Sequence, residues 1–96
     1  MIKKYEGENF KDLKGLYIID FYADWCGPCK MLGMVLEQLN DINILKVDVD
    51  EHEDLAKEYK VMSIPYLLLI KDGEIKKELI GFKSKEDLES EIESIK

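Results

Sequence analysis

Two cysteines, Cys26 and Cys29, are the side chains of this sequence best suited to chemistry. They are the only cysteines in the chain and stand three residues apart in the run Trp-Cys-Gly-Pro-Cys. An ionised thiol is a strong nucleophile, and two neighbouring thiols can form and break a disulfide reversibly. The spacing therefore predicts a redox pair in which Cys26 attacks a foreign disulfide and Cys29 then releases the product.

The segments on either side place this pair where a strand passes into a helix. Residues 16–22 form an apolar run of β-branched and aromatic residues, which is typical of a buried strand. Apolar residues then recur at the spacing of one helix face, at Leu32, Val35, Leu36 and Leu39. A helix N-terminus favours an anion, so we expect a stabilised thiolate at Cys26. Residues three apart share a helix face, which brings Cys29 within disulfide distance.

Gly27 and Pro28, which stand between the cysteines, suit this position. Glycine leaves room for the close approach of a substrate, and proline fits the first helical turn because no helical hydrogen bond is lost there. We expect Cys26 to be exposed to substrates and Cys29 to be shielded by the helix.

The remaining sequence alternates strands and helices, a pattern that predicts an α/β structure with a mixed sheet. Strands are expected at 2–5, 16–22, 43–49, 66–71 and 75–80, and helices at 10–13 and 29–40, with two more following Asp50 and Ser84. The strand at 66–71 is apolar on both faces, so we expect it to be interior, and residues 71–74 predict a hairpin turn. Two pairs have the spacing of helix capping boxes: Asp50 with Glu53, and Ser84 with Asp87.

Composition limits the possible classes of function. The 96 residues are 46% hydrophobic, which excludes a disordered segment, and 14 basic against 21 acidic residues give a net charge of −7. This charge disfavours nucleic acid and anionic membranes as partners. No apolar run is long enough to span a bilayer, and no apolar secretory segment follows the first residues. We therefore expect a cytoplasmic protein, since a C-x-x-C pair in that reducing compartment is usually catalytic or metal-binding.

Three stretches together resemble the thioredoxin family. They are residues 20–30 around the cysteines, Leu45–Asp50 and Val61–Gly73. The match runs in register from about Leu16 to Gly81. The resemblance implies the thioredoxin fold over residues 1–96, with a central mixed sheet of strand order 1-3-2-4-5, the last two strands antiparallel to the rest, and helices on both faces.

The resemblance also implies the activity of a thioredoxin-type protein-disulfide reductase, an electron carrier in cell redox homeostasis. Gly27 and Pro28 between the cysteines resemble the reducing members of the superfamily. The implied partners are disulfide-containing proteins and a flavin-dependent thioredoxin reductase that restores the dithiol. No bound cofactor and no metal are implied, the redox group is the Cys26–Cys29 disulfide, and we expect a monomer.

Asp20 stands inside an apolar run, where a charged carboxylate is costly unless it is paired or protonated. From the residues alone, an exposed place at the strand edge or a simple structural hydrogen bond remains open. The resemblance implies instead a buried acid beneath the cysteines, which exchanges a proton with Cys29 directly or through water. It also implies that Lys46 is the charge partner of Asp20, although a solvated lysine fits the residues equally well. Burial should raise the pKa of Asp20 and Lys46 should lower it.

A substrate groove is the third implication of the resemblance. Ile64 and Pro65 match the cis-proline loop that presents backbone to a bound peptide, whereas an ordinary loop proline is the alternative from the residues alone. Gly81 matches a glycine on the groove rim, and Trp25 is expected to cover the site and to contact partner proteins. The residues expected to bind substrate are Trp25, Gly27, Pro28, Ile64, Pro65 and Gly81.

Two positions depart from the family pattern. Met34 stands where a kink-forming proline is usual, so we expect a straighter helix with Gly33 as its weak point. Tyr66 stands where threonine usually follows the cis-proline, and we expect its bulky side chain near the floor of the groove.

Three other functions remain open at the level of sequence. The chain suits a specialised redoxin with one dedicated reductase or target, and it also suits a non-catalytic thioredoxin-like binding subunit. A dimer bridged by a metal is disfavoured, because structural zinc normally takes four ligands and the chain has two cysteines and one histidine.

Overall fold

Five strands and three α-helices alternate along the computed structural model, which describes all residues from Met1 to Lys96. The elements in chain order are β1 Ile2–Lys4, a short 3-10 helix Phe10–Asp12, β2 Leu16–Tyr22, α1 Gly27–Leu36, β3 Asn43–Asp48, α2 Glu53–Glu58, β4 Tyr66–Lys71, β5 Glu74–Ile80 and α3 Lys85–Ile95. None of the helices has both the length and the apolar composition needed to cross a membrane.

The strands form one mixed sheet in the expected order β1-β3-β2-β4-β5. Both β1 and β2 pair in parallel with β3, whereas β4 pairs antiparallel with β2 and β5 pairs antiparallel with β4. The expectation that the last two strands both oppose the rest is therefore wrong for β5, which runs in the same direction as β1–β3. The reason is the tight turn at Asp72 and Gly73, both with positive φ, which reverses the chain once more after β4.

The helices lie on both faces of the sheet, as expected, and each face has its own apolar core. The first core joins α1 and α3 to the sheet, and its buried members include Ile18, Leu32, Leu36, Ile44, Leu67, Leu69, Leu88 and Ile92. The second core lies on the side of α2 and includes Phe10, Ile19, Phe21, Leu45, Val47, Tyr66, Leu68 and Ile70. Because β4 contributes to both cores, its interior position is confirmed.

Helix α1 differs from the sequence expectation at both ends. It begins at Gly27 rather than at residue 29, because proline is tolerated in the first helical turn. Cys26 is the N-cap residue. It ends at Leu36 rather than at residue 40. The N–H groups of Gln38 and Leu39 bond to carbonyls only three residues back. Asp41 has a φ of 61°, a conformation that aspartate tolerates and that stops a helix.

One of the two expected capping boxes forms its cap and the other does not. The Ser84 hydroxyl accepts a hydrogen bond from the Asp87 N–H at 3.1 Å, which caps α3 as expected. The expected role of Asp50 is wrong, because His52 precedes α2 and no side chain caps that helix. The Asp50 carboxylate is instead engaged by the indole N–H of Trp25 at 2.8 Å.

Shortening a buried side chain of β4 should show how much the packing of this interior strand contributes to the free energy of unfolding. Leu68 has no exposed surface, so Leu68→Ala is expected to lower the free energy of unfolding by roughly 2–5 kcal/mol through lost burial and a residual cavity. Ile75→Ala on the edge strand, where Ile75 is 42% exposed, is the matched control and should cost less than about 1 kcal/mol. Guanidinium denaturation of the oxidised protein measures both, and equal losses would contradict the interior position of β4.

Candidate active site

Cys26 and Cys29 are joined by a disulfide at the start of α1, and their Cα atoms lie 5.2 Å apart. Cys26 has extended backbone angles, and its Sγ accepts a hydrogen bond from the Cys29 N–H at 3.2 Å. In the reduced protein the same N–H and the helix dipole would stabilise a thiolate on Cys26. The N-terminal turn therefore favours the charged form of the first cysteine and holds the second within bonding distance.

The two cysteines differ less in exposure than the sequence predicts. Cys26 is 5% exposed and Cys29 is 3% exposed, and both pack with Ala23. The expectation of an openly exposed Cys26 is wrong for the oxidised protein, because the disulfide holds its sulfur against Cys29. The backbone at Gly27, between the two cysteines, is open, because nothing lies within 4 Å of the position that a β-carbon would occupy there.

Asp20 is completely buried in the middle of β2. Its place at an exposed strand edge, the simplest alternative from sequence, is therefore wrong. Neither carboxylate oxygen has a hydrogen-bond partner among the groups of the protein, which also excludes a structural hydrogen bond to another residue. The register of β2 and β3 pairs Asp20 with Lys46, and the Lys46 Nζ lies 3.8 Å from Oδ2. This distance makes an ion pair but is too long for a hydrogen bond.

Burial determines the proton affinity of Asp20. Desolvation raises its pKa from 3.8 to about 6, and the nearby positive charge of Lys46 opposes this rise. Both directions agree with the sequence expectation. A carboxylate with a pKa close to neutral is well suited to accept and return a proton at physiological pH.

A cleft of about 240 Å³ is lined by both Cys29 and Lys46, the cation of this ion pair. Its walls include Cys29, Lys46, Gly33, Met34 and Glu37. The cleft is large enough to hold water molecules beside Cys29. A larger hollow of about 500 Å³ beside α2 contains neither cysteine, so size alone does not mark the site. No group of three or more His, Cys, Asp or Glu side chains is arranged to bind a metal ion.

The loop before β4 lies against the disulfide. The Ile64–Pro65 peptide bond is cis, as expected, and Ile64 packs against the cluster formed by the two cysteines and Ala23. The Pro65 carbonyl accepts a hydrogen bond from the Gly81 N–H at 2.8 Å. Gly81 has a φ of 87°, a conformation that favours glycine. The structure thus brings Ile64, Pro65 and Gly81 together beside the cysteines.

Trp25 projects from the same surface and is 71% exposed. Its indole N–H donates a hydrogen bond to the Asp50 carboxylate at 2.8 Å, which fixes the ring beside Cys26. The sequence predicts the exposure of Trp25 but misses Asp50, because a carboxylate three residues before Glu53 also has the spacing of a helix cap. No signal in the sequence distinguishes these two uses of the side chain.

The tyrosine that follows the cis-proline does not line the groove. Tyr66 is only 6% exposed and packs against Phe21 in the second core, with a ring-centroid distance of 6.0 Å. Its hydroxyl donates a hydrogen bond to Glu78 at 2.7 Å, and burial together with Glu78 raises the pKa of Tyr66 to about 12. The expected groove position is wrong, because Tyr66 and Leu67 point to opposite faces of β4 and Tyr66 faces away from Asp20.

Two residues around Lys46 were not assigned a role from the sequence. The Lys46 Nζ lies 4.5 Å from the centroid of the Tyr22 ring. A β-carbon on Gly33 would lie 3.4 Å from the same nitrogen, so the glycine leaves space for the ammonium group. The sequence gives only a weak indication that Tyr22 lies near Lys46. Asp20 and Tyr22 are two residues apart in β2, so their side chains lie on the same face of the sheet.

Comparison with known proteins identifies close relatives over nearly the whole chain. The sequence profile of the family described as Thioredoxin matches residues 2–94. A thioredoxin of Bacillus subtilis is 49% identical, covering 79% of this chain and 78% of that protein, and one of Staphylococcus saprophyticus is 46% identical, covering 96% and 95%. Among solved structures, a mutant thioredoxin from Halobacterium salinarum superimposes with a TM-score of 0.87 at 37% identity, covering 97% of this chain and 88% of that one.

Replacing the buried carboxylate should stabilise the protein in a pH-dependent way. Because the folded pKa of Asp20 lies above the unfolded value, its ionisation opposes folding, and stability is lost as pH rises from 3.8 to about 6. Asp20→Asn is therefore expected to raise the free energy of unfolding at both pH values, by about 2 kcal/mol more at about pH 8 than at about pH 4.

Denaturation of the oxidised protein at the two pH values measures this difference. Asp12→Asn removes an exposed carboxylate and controls for the loss of one surface charge. A gain from Asp20→Asn that is the same at both pH values would show that the Asp20 carboxylate does not carry the ionisation penalty.

Proposed function

The chain belongs to the thioredoxin family and is a protein-disulfide oxidoreductase, and we propose that Cys26 is its attacking thiol and Cys29 its resolving thiol. The Cys26–Cys29 pair is the redox-active group, and a reductase supplies its electrons. The observation that carries the assignment of roles is the hydrogen bond from the Cys29 N–H to the Cys26 sulfur at the helix N-terminus. It favours the thiolate of Cys26 over that of Cys29.

The reaction proceeds in two exchange steps. The Cys26 thiolate attacks one sulfur of the target disulfide, so that a mixed disulfide forms and the other target sulfur leaves as a thiolate. Cys29 then loses its proton and attacks the Cys26 sulfur, which closes the Cys26–Cys29 disulfide and releases the second target thiolate. The target gains two electrons and the cysteine pair loses two.

Asp20 is the proposed acceptor of the Cys29 proton. Its carboxylate is buried without a hydrogen-bond partner, and its pKa of about 6 lies near neutral. Lys46 lies 3.8 Å from Asp20 and also lines the cleft that reaches Cys29, which supports transfer through water in that cleft. Lys46 holds Asp20 ionised before the transfer, and Asp20 becomes neutral after it.

The target is proposed to bind as an extended segment beside the cysteines. Such a segment can add to the backbone at Ile64 as an extra strand, and its side chains then meet the exposed Trp25. The packing of Ile64 on the disulfide cluster and the hydrogen bond between Pro65 and Gly81 support this placement. The proposed substrate-binding residues are Trp25, Gly27, Pro28, Ile64, Pro65 and Gly81.

The wider setting of this reaction follows from the family and from charge. We propose that residues 1–96 form one thioredoxin domain, which the single five-stranded sheet supports. A net charge of −7 supports a monomer that does not bind nucleic acid, because like charges oppose both self-association and approach to phosphate. We also propose a cytoplasmic location and a flavin-dependent thioredoxin reductase as the electron donor, since a C-x-x-C pair is kept reduced in that compartment.

Reduction of insulin disulfides by dithiothreitol tests these roles. The unmodified protein should accelerate the reaction strongly, and both Cys26→Ser and Cys29→Ser should abolish the acceleration because each removes one exchange step. Only Cys29→Ser should accumulate a covalent mixed disulfide with the target, detected by mass spectrometry without reductant, because its Cys26 attacks and nothing resolves the product.

The two serine variants serve as controls for each other, since both lose one sulfur in the same turn of the protein. A stable adduct with Cys26→Ser instead would reverse the assignment of attacking and resolving thiols. No acceleration by the folded, unmodified protein would overturn general disulfide reduction and would point to a single dedicated target.

A further inference from the structure

The Lys46 ammonium group lies between the Asp20 carboxylate and the Tyr22 ring, next to the backbone of Gly33. It lies 3.8 Å from the Asp20 carboxylate and 4.5 Å from the centroid of the Tyr22 ring. It also lies 3.4 Å from the position that a β-carbon on Gly33 would occupy. A lysine side chain has four rotatable bonds, so it reaches one fixed place only where its surroundings hold it.

Tyr22 is well placed to hold this group. Asp20 and Tyr22 lie two residues apart on the same face of β2, and the register places Lys46 opposite Asp20 on the neighbouring strand β3. The ammonium therefore meets the carboxylate and the aromatic ring side by side. Its distance from the ring centroid is within the range of about 6 Å over which a cation is attracted to an aromatic face.

We propose that Tyr22 is a positioning residue whose ring holds the Lys46 ammonium against the buried Asp20 carboxylate and so sets how readily Asp20 takes a proton. This inference rests on the proposed function, in which Asp20 accepts the proton of Cys29. Tyr22 packs against the cluster of Ala23 and the two cysteines, but it takes no part in the exchange of disulfides. It acts only through Lys46.

The cleft offers Lys46 other partners if the ring is removed. Asp24 and Glu37 line it together with a second cation, Lys30. The side chain of Lys46 is 27% exposed, so its ammonium can turn outward toward these carboxylates or water. Asp20 would then lose its only nearby cation and would hold its proton more tightly.

Asp20 has no charged neighbour other than Lys46, whereas several charges lie near Tyr22. The remaining groups packed on the Asp20 side of the sheet are apolar, including Leu67, Leu69 and Leu88, apart from the cysteine pair of α1. The charges that act on the Tyr22 hydroxyl are Asp48 from β3, Lys4 from β1, and Asp24 and Glu51 from the adjoining loops. Lys46 is the one charged side chain that acts on the Asp20 carboxylate, so it is the route by which a change at Tyr22 reaches that group.

The ring of Tyr22, and not its hydroxyl, makes the contact with Lys46. The hydroxyl takes part in no side-chain hydrogen bond, whereas the ring packs against the disulfide cluster. Tyr22→Phe therefore keeps the proposed function of the residue, and Tyr22→Leu removes it while keeping an apolar side chain. The two substitutions form a matched pair.

The test is the pKa of Asp20 in the oxidised protein, followed by carbon-13 NMR of aspartate carboxyl groups. The Asp20 resonance is assigned by its loss in Asp20→Asn, and no thiol titrates because both cysteines are in the disulfide. Tyr22→Leu should raise the pKa of Asp20 by about 0.5 to 1 unit, and Tyr22→Phe should leave it unchanged. In a Lys46→Met background, Tyr22→Leu should produce no such rise.

Two results would overturn the inference. The first is an unchanged pKa of Asp20 in Tyr22→Leu, and the second is an equal rise with and without Lys46, which would mean that Tyr22 acts by excluding water. Amide spectra check that each variant is folded, and Tyr22→Met replaces Tyr22→Leu if the latter is not. Because the oxidised protein performs no exchange, these results do not depend on whether Asp20 accepts the Cys29 proton.

Discussion

The buried ion pair of Asp20 and Lys46 is the interaction on which the working site depends. A carboxylate in the middle of a sheet, without a hydrogen bond and with one cation 3.8 Å away, opposes folding at neutral pH. The two apolar cores on either side of the sheet supply the stability that tolerates it. The same burial brings the pKa of Asp20 to about 6, where a carboxylate can exchange protons under physiological conditions. Stability is thus reduced at the residue that we propose as the acceptor of the Cys29 proton.

The fold gives the two cysteines different surroundings. The N-terminal turn of α1 favours a thiolate on Cys26 through the Cys29 N–H and the helix dipole. Cys29 has no such donor, and in the proposed mechanism it passes its proton to a base by way of the cleft that it shares with Lys46. In that mechanism Cys26 attacks first as a thiolate, whereas Cys29 must first lose a proton. The parallel pairing of β2 and β3 fixes that arrangement, since it sets Lys46 opposite Asp20.

Local patterns in the sequence predicted much of this structure. The bounds of β2 and β4 and the cap at Ser84 were correct, because each depends on neighbouring residues. The wrong predictions concern side chains that contact residues distant in the sequence. Asp50 has the spacing of a helix cap but binds the Trp25 indole, and Tyr66 turns into the second core, where Phe21 and Glu78 engage it. The contact of Tyr22 with Lys46 joins two strands and has no local signature.

The pH dependence of the resolving step decides whether Asp20 acts as the base. Trp25, the only tryptophan, stands next to Cys26, so its fluorescence in a stopped-flow experiment can follow closure of the disulfide from a preformed mixed disulfide. The rate for the unmodified protein should rise with pH as Asp20 ionises, and Asp20→Asn should lose this rise and be slower by about 10²-fold near neutral pH. The two rates should converge at high pH, where Cys29 ionises without help. Equal rates and equal profiles near neutral pH would contradict a catalytic role for the buried carboxylate.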